Sequence, residues 1–343
     1  MKSVPTRLGI AGAAAALALS WPLHGQDVPP APVPVQAPVT IVTPPPMLDQ
    51  RSAETLDYGL DASTRMTVPV NIGPHGPYNF IVDTGSERTV VSNELARALN
   101  LGPGPDVIVH SMTEVSRIQT VVVPRLRVGQ RTMEDIEAPA LLRRNLGAPG
   151  ILGVDTLQTQ RVVFDFGRQE MTIMPSRRAQ PRWPAGEIVI TARSRFGRLM
   201  LIDAEVDGQR VYVIVDTGGQ ITVGNNALRR ALARRNRLGP MAEVRVTSVT
   251  GGQFTADYTL ARRIRIGGAN IANLPIAFAD VHPFSQLGLM DRPALLLGMD
   301  ALQLFDRVSV DFANRRVRLL LPDSSSNGAV VRIAGGDSSR IGR

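Results

Sequence analysis

No cysteine occurs in the 343 residues, which excludes disulfides, thiol nucleophiles, cysteine-ligated zinc and a thiol-linked lipid anchor. Aromatic residues make up only 4% of the chain; with no stacking cluster and no recognisable binding motif, a nucleic-acid partner is not expected. The four histidines, His24, His75, His110 and His282, are scattered and lack the His-Glu-x-x-His spacing, so each is expected at the surface or in a loop. No metal and no cofactor is predicted. A Gly-x-Ser-x-Gly elbow and a phosphate-binding glycine loop are also missing, which argues against a serine hydrolase and a nucleotide enzyme. Met112, Met171, Met174, Met200 and Met299 read as core filler.

What the chain does have is an internal repeat. Asp83-Thr84-Gly85 and Asp216-Thr217-Gly218 each follow an apolar run, Phe80-Ile81-Val82 and Val213-Ile214-Val215. Behind them come Thr89-Val90-Val91-Ser92-Asn93-Glu94-Leu95 and Thr222-Val223-Gly224-Asn225-Asn226-Ala227-Leu228, each a short strand leading into a capped helix. Arg125-Leu126-Arg127-Val128-Gly129 then matches Arg263-Ile264-Arg265-Ile266-Gly267. Further on, Ile151-Leu152-Gly153 with Asp155 matches Leu296-Leu297-Gly298 with Asp300, and both copies reach Phe164-Asp165-Phe166 or Val310-Asp311-Phe312. Five landmarks in one order point to a duplicated unit. Between them lie short strands and turn residues, including Ile202 to Val206 before Asp207-Gly208, a strong hairpin signal. Helix is predicted only over Asn93 to Leu99 and Asn226 to Arg235, with turns starting at Asp155 and Asp300. Those two aspartates are expected to act as helix N-caps rather than in catalysis.

On these motifs the chain resembles the retropepsin-like aspartic peptidases, in the form where two lobes lie in one bacterial chain, over roughly Thr64 to Pro322. The resemblance implies an all-β fold of two similar β-barrel lobes related by pseudo-two-fold symmetry, with the active site in the cleft between them. It implies Asp83 and Asp216 as the catalytic pair, supported by Thr84, Gly85, Ser86, Thr217, Gly218 and Gly219. The threonine hydroxyls would bond across the lobe junction, and the apolar-apolar-Gly segments would thread behind the catalytic loops. Ser86 fits the small polar residue usual after the tripeptide, whereas Gly219 departs from it and should weaken a hydrogen bond. Flap hairpins are expected around Ser111, Met112 and Thr113 and around Thr250, Gly251 and Gly252, only the second having a glycine tip.

The chemistry needs two carboxyls because hydrolysis without a metal requires both an activated water and a proton for the carbonyl oxygen. Two like charges held close cannot both ionise cheaply, so such a pair shares one proton and supplies both functions. An exported aspartic endopeptidase acting on peptide or protein substrates is therefore the leading expectation. The alternative is a catalytically silent peptidase-like domain that binds peptides or envelope proteins, against which both complete motifs argue. A homodimer pairing equivalent lobes of two molecules is a third possibility; one polypeptide carrying both lobes favours the monomer.

Organisation and address follow from the ends. Lys2 and Arg7 precede an apolar run from Leu8 to Leu19, predicting a signal peptide over 1–26, with an uncleaved anchor as the alternative. The expected location is periplasmic or secreted, with no stable membrane insertion after signal removal. Residues 27–63 are proline-rich and read as a linker or propeptide. An N-terminal lobe over 64–176, an interlobe linker over 177–186, a C-terminal lobe over 187–322 and a disordered tail over 323–343 complete the chain. The formal charge of +8 is nearly all arginine. Its densest run, Arg229, Arg230, Arg234, Arg235 and Arg237, reads as a solvated helix face or, more sharply, as attraction to an acidic surface.

Overall fold

A computed structural model describes residues 53–111, 115–157, 159–178, 187–195, 198–322 and 330–332. The predicted signal peptide, the linker or propeptide before residue 53, most of the interlobe linker and most of the tail lie outside the described residues, as do Met112 and Thr113. Among the described residues strand accounts for 54% and helix for 12%, so the all-β expectation holds.

In the first lobe, Met66–Ile72, His75–Val82, Gly150–Leu152, Val90–Ser92, Arg131–Leu141 and Val115–Val128 follow one another, and the last returns to Met66–Ile72. This closes a six-stranded barrel. Its walls alternate as period-2 patterning requires: Leu126 and Val128 point inward while Arg125 and Arg127 face solvent. The second lobe repeats the arrangement with Arg198–Leu201, Tyr212–Val215, Ala294–Leu297, Val223–Gly224, Ala269–Phe278, Gln253–Ile266 and Ala204–Val206. Here the strand expected from Ile202 to Val206 is broken at Ile202 and Asp203, so Arg198–Leu201 pairs with Tyr212–Val215 and Ala204–Val206 pairs with Gln253–Ile266. Asp207 and Gly208 both have positive φ, +45° and +79°, the geometry a two-residue hairpin of this twist demands.

The lobes meet in a shared antiparallel layer. Gln160–Asp165 of the first lobe lies beside Arg307–Asp311 of the second, flanked by Glu170–Pro175 with Glu54–Asp57 on one side and Arg316–Leu320 with Glu187–Arg195 on the other. The Arg-x-x-x-Asp spacing in both central strands places Arg161 opposite Asp311 and Asp165 opposite Arg307. Each arginine binds its partner, at 2.9 Å and 2.6 Å. Two assignments at the ends change. Glu54–Asp57 and Gly59–Leu60, assigned to the linker by composition, are strands, and Val330–Arg332 in the tail pairs with Asn270 to Ala272.

The helices Asn93–Ala98 and Asn226–Arg234 fall where expected, capped by Ser92 Oγ accepting from Leu95 N and Asn225 Oδ1 accepting from Leu228 N. The second buries Ala227, Leu228, Ala231 and Leu232 and turns Arg230 and Arg234 to solvent. Two short helices went unpredicted, Arg143–Leu146 and His282–Gln286. Met171, Met174, Met200 and Met299 are buried, as core filler should be.

Candidate active site

The apolar runs ahead of the two tripeptides become the innermost strands of their barrels, because Phe80, Ile81, Val213 and Ile214 are all fully buried. Each delivers its aspartate to the same place. The Thr84 hydroxyl donates to the Val215 carbonyl at 3.0 Å and accepts from Thr217 N at 3.1 Å. Reciprocally, the Thr217 hydroxyl donates to the Val82 carbonyl at 2.8 Å and accepts from Thr84 N at 3.0 Å. Every bond crosses the lobe junction and both threonines are buried, so the two loops are fixed against each other.

The carboxyls converge. A methyl at Gly85 would stand 2.7 Å from Asp216 Oδ1 and 3.1 Å from Asp83 Oδ1, so this one glycine lies against both groups. A methyl at Gly218 would overlap the Asp83 carboxyl. Either glycine's replacement would push a side chain into the opposite lobe's acid, a stronger reason for glycine than turn geometry alone. Asp83 Oδ1 accepts from Gly85 N (2.7 Å) and Ser86 N (3.1 Å); Asp216 Oδ1 accepts from Gly218 N and Gly219 N, both at 3.1 Å. The Ser86 hydroxyl donates instead to the Arg88 carbonyl at 2.7 Å. Backbone amides do the holding in both lobes, so the hydrogen bond that Gly219 was expected to weaken is not made by a side chain at all.

Behind each loop runs the apolar-apolar-Gly strand. Gly150–Leu152 lies parallel to Ile81 and Val82, and Ala294–Leu297 parallel to Tyr212–Val215. Asp83 N donates to Leu152 O and Asp216 N to Leu297 O, both at 3.0 Å. A side chain at Gly153 would strike the Arg88 backbone and one at Gly298 the Ile221 backbone, which explains both glycines. Asp155 and Asp300 are not N-caps; Gly153 and Gly298 hold those positions. Asp155 accepts from Thr89 N (2.9 Å) and the Thr89 hydroxyl (3.0 Å), and Asp300 from Thr222 N (3.0 Å) and the Thr222 hydroxyl (2.7 Å). These carboxylates pin the far end of each catalytic loop. The N-cap expectation failed because a cap and a cross-loop acceptor look alike in sequence.

The electrostatics are those of two acids sharing one space. Burial pushes Asp83 up, against the lowering pull of the Gly85 amide and the Arg198 guanidinium. Burial, with the Asp83 charge second, raises Asp216 to about 7. Arg198 opposes both shifts. Its side chain is 8% exposed, Nε donates to the Gly85 carbonyl of the other lobe at 2.9 Å, Nη1 to Gln286 Oε1 at 2.9 Å, and Nη2 lies 4.0 Å from Glu87. Arg65 occupies the same register position in the first lobe, since Thr67 pairs with Ile81 as Met200 pairs with Ile214. It turns to its own lobe, to Asp61 and to the Leu146 carbonyl at 2.6 Å. Sequence reasoning missed this pair, although each arginine precedes its aspartate by the same number of residues.

Paired strands flank both candidate flap segments. His110 pairs with Val115 and Thr247 with Gln253, leaving Ser111 at the end of the first and Thr250, Gly251 and Gly252 in the turn of the second. Gly251 has φ +95°. Thr250 Oγ1 donates to Ser111 Oγ at 3.0 Å, and Val249 packs on the first lobe's cluster of Ile81, Leu141, Leu146 and Ile151. Contrary to the scattered reading of the histidines, His110 and His282 touch, with Nδ1 of the former 2.8 Å from Nε2 of the latter.

No helix among the described residues is long and apolar enough to cross a membrane. No curated protein matches the chain. The family model described as aspartyl protease matches residues 68–156 and again 202–301, together more than half of the chain and one match per lobe. Both matches span an Asp-Thr-Gly loop and its apolar-apolar-Gly strand, and the chain therefore belongs to the aspartyl protease family, in the retropepsin-like form that carries two lobes in one polypeptide.

Proposed function

We propose that the protein is an exported endopeptidase in which Asp83 and Asp216 activate one water between them. The observation that supports this best is the position of Gly85, against both carboxyls at once, beneath a reciprocal threonine grip. One carboxylate takes a proton from the water as its oxygen attacks the scissile carbonyl carbon; the partner acid gives its proton to the carbonyl oxygen. Collapse of the tetrahedral diol then returns a proton to the amide nitrogen and breaks the C–N bond, leaving a carboxylic acid and an amine. The pair must hold one shared proton to begin, so activity falls as pH rises through about 7, where Asp216 loses it.

Export is supported by the charged and then apolar N-terminus, and a periplasmic or secreted location follows from it. The protein acts as a monomer, both carboxyls coming from one chain. Asp83→Asn and Asp216→Asn, with folding checked by circular dichroism, test the reading on an unbiased peptide mixture between about pH 3 and about pH 8. Each substitution is expected to lower cleavage by at least about 10³-fold. Folded wild-type protein that cleaves nothing, or variants that cleave as well as it does, would instead mark a peptide-binding domain.

A further inference from the structure

We infer that His110 and His282 are positioning residues that form a proton-sensitive clasp, holding the first lobe's hairpin to the second lobe at the edge of the cleft. The inference deepens the peptidase reading and rests on it for its consequence, although the clasp itself is read from geometry alone.

The two rings come from opposite lobes. His110 ends the strand Pro103–His110, and His282 opens the helix His282–Gln286. Their nitrogens are 2.8 Å apart and their ring centroids 4.2 Å apart at an interplanar angle of 29°, a stacked, hydrogen-bonded pair. The helix that carries His282 also carries Gln286, which receives the Arg198 guanidinium bound to the Gly85 carbonyl. One short path thus runs from the hairpin through the pair to the catalytic loop.

The proton bookkeeping decides how the clasp responds to pH. His282 Nδ1 is buried and has no hydrogen-bond partner. A proton there would be an unpaired buried donor, so neutral His282 carries its proton on Nε2 and donates it to His110 Nδ1. Protonating His110 fills the accepting lone pair. His282 can then accept only by moving its own proton to the unpartnered Nδ1, and protonating His282 directly has the same cost. A proton added to either ring therefore puts an unpaired donor on the buried Nδ1 for as long as the rings stay together, a cost that opening the contact to water removes, so protonation favours the open state.

The charged groups around the pair do not undo this. Arg198 adds to the burial and the His110 charge that hold His282 below its ordinary value, and Glu87 opposes them. Along the hairpin, Asp106 and Arg117 are satisfied by each other at 3.0 Å. The clasp is therefore present at neutral pH and lost as pH falls below the ordinary histidine range. A hydrogen bond between the two hairpins, Thr250 Oγ1 to Ser111 Oγ, carries no titratable group and gives an internal control.

Hydrogen exchange on the full-length protein, corrected for intrinsic rates, reads the clasp without requiring activity. On going from about pH 7.5 to about 4.5, peptides spanning 103–110 should lose protection by about tenfold, one hydrogen bond's worth, while those spanning 242–247 stay level. His282→Phe, which keeps the stack but offers no polar partner, should hold 103–110 at the lower protection of the acid state, about tenfold below neutral wild type, at every pH. His282→Gln can donate to neutral His110 or accept from protonated His110, so it should restore protection and flatten the pH step. A wild-type hairpin with no step, or a Phe variant protected like wild type at neutral pH, overturns the clasp. Either result leaves the peptidase reading to be judged by Asp83→Asn and Asp216→Asn.

Discussion

The first and second lobes hold their catalytic acids with matching hydrogen bonds and differ in the charged side chains around them. Asp83 and Asp216 each accept two backbone amides, each threonine makes the same two bonds, and each loop end is pinned by a Thr–Asp pair. Arg65 and Arg198 begin from equivalent positions, yet Arg65 is captured by Asp61 within its own lobe, whereas Arg198 crosses to Gly85 of the other. Glu87 stands near Arg198, while the residue at the same distance after the second aspartate is the neutral Gln220. Symmetry is thus kept where two acids must share one proton and given up where charge is distributed around them.

The shared sheet offers the largest break in this comparison. Arg161–Asp311 and Arg307–Asp165 are related by the same pseudo-two-fold, but the first pair is 2% and 1% exposed and the second 29% and 13%. Arg161→Met should cost about 3–5 kcal/mol in urea unfolding, because it strands a buried carboxylate, and Arg307→Met about 1 kcal/mol or less. Burial pushes Asp311 up, but hydrogen bonds from Asn314 and Arg161 outweigh it and hold the carboxyl below its ordinary value. Its contribution is therefore complete above the ordinary carboxylate range and lost as pH falls through the depressed pKa. Equal costs for the two variants would show that burial is not what separates the pairs.

A smaller effect separates the two buried arginines. Arg198 lowers both acids of the pair, whereas the pull of Arg65 falls on Asp83, where it ranks behind that of Arg198. Removing a cation favours the protonated form, so Arg198→Gln should move the alkaline limb of the pH–kcat/KM profile upward from about 7. Arg65→Gln should leave that limb in place, and an equal upward shift in both variants would put the asymmetry elsewhere.

The smallest expected effect belongs to Gly219→Ser, which makes the second loop match the first. The new Cβ would lie 3.1 Å from Asp216 Oδ2, a tight but tolerable approach, and the amide that holds the carboxyl is retained. Peptide cleavage should change by about fivefold or less, equivalent to about 1 kcal/mol. A larger loss would mean that the side chain at this position matters in a way the Ser86 geometry does not suggest.

Much of the fold and the centre of the site was legible in the chain, for reasons particular to those residues. Asp-Thr-Gly after an apolar run, and an apolar-apolar-Gly strand that must pass a backbone closely, are local demands that leave few residue choices. The alternation in Arg-Leu-Arg-Val-Gly and in its partner marks barrel strands because one face is buried. Illegible were the contacts whose partners are far apart in sequence. His110 and His282 looked scattered because 172 residues separate them. Asp155 and Asp300 looked like caps, since their acceptors' partners, Thr89 and Thr222, stand far upstream.

By itself the sequence determined a duplicated all-β chain with one acid per half, because strand periodicity and close-packed glycines are written in neighbouring residues. Only the tertiary structure decided which lobe's arginine crosses to the other's catalytic loop, that a shared sheet carries reciprocal Arg–Asp pairs, and that two histidines meet at the cleft's edge. Those outcomes depend on how two barrels dock, and docking brings together side chains that no local pattern connects.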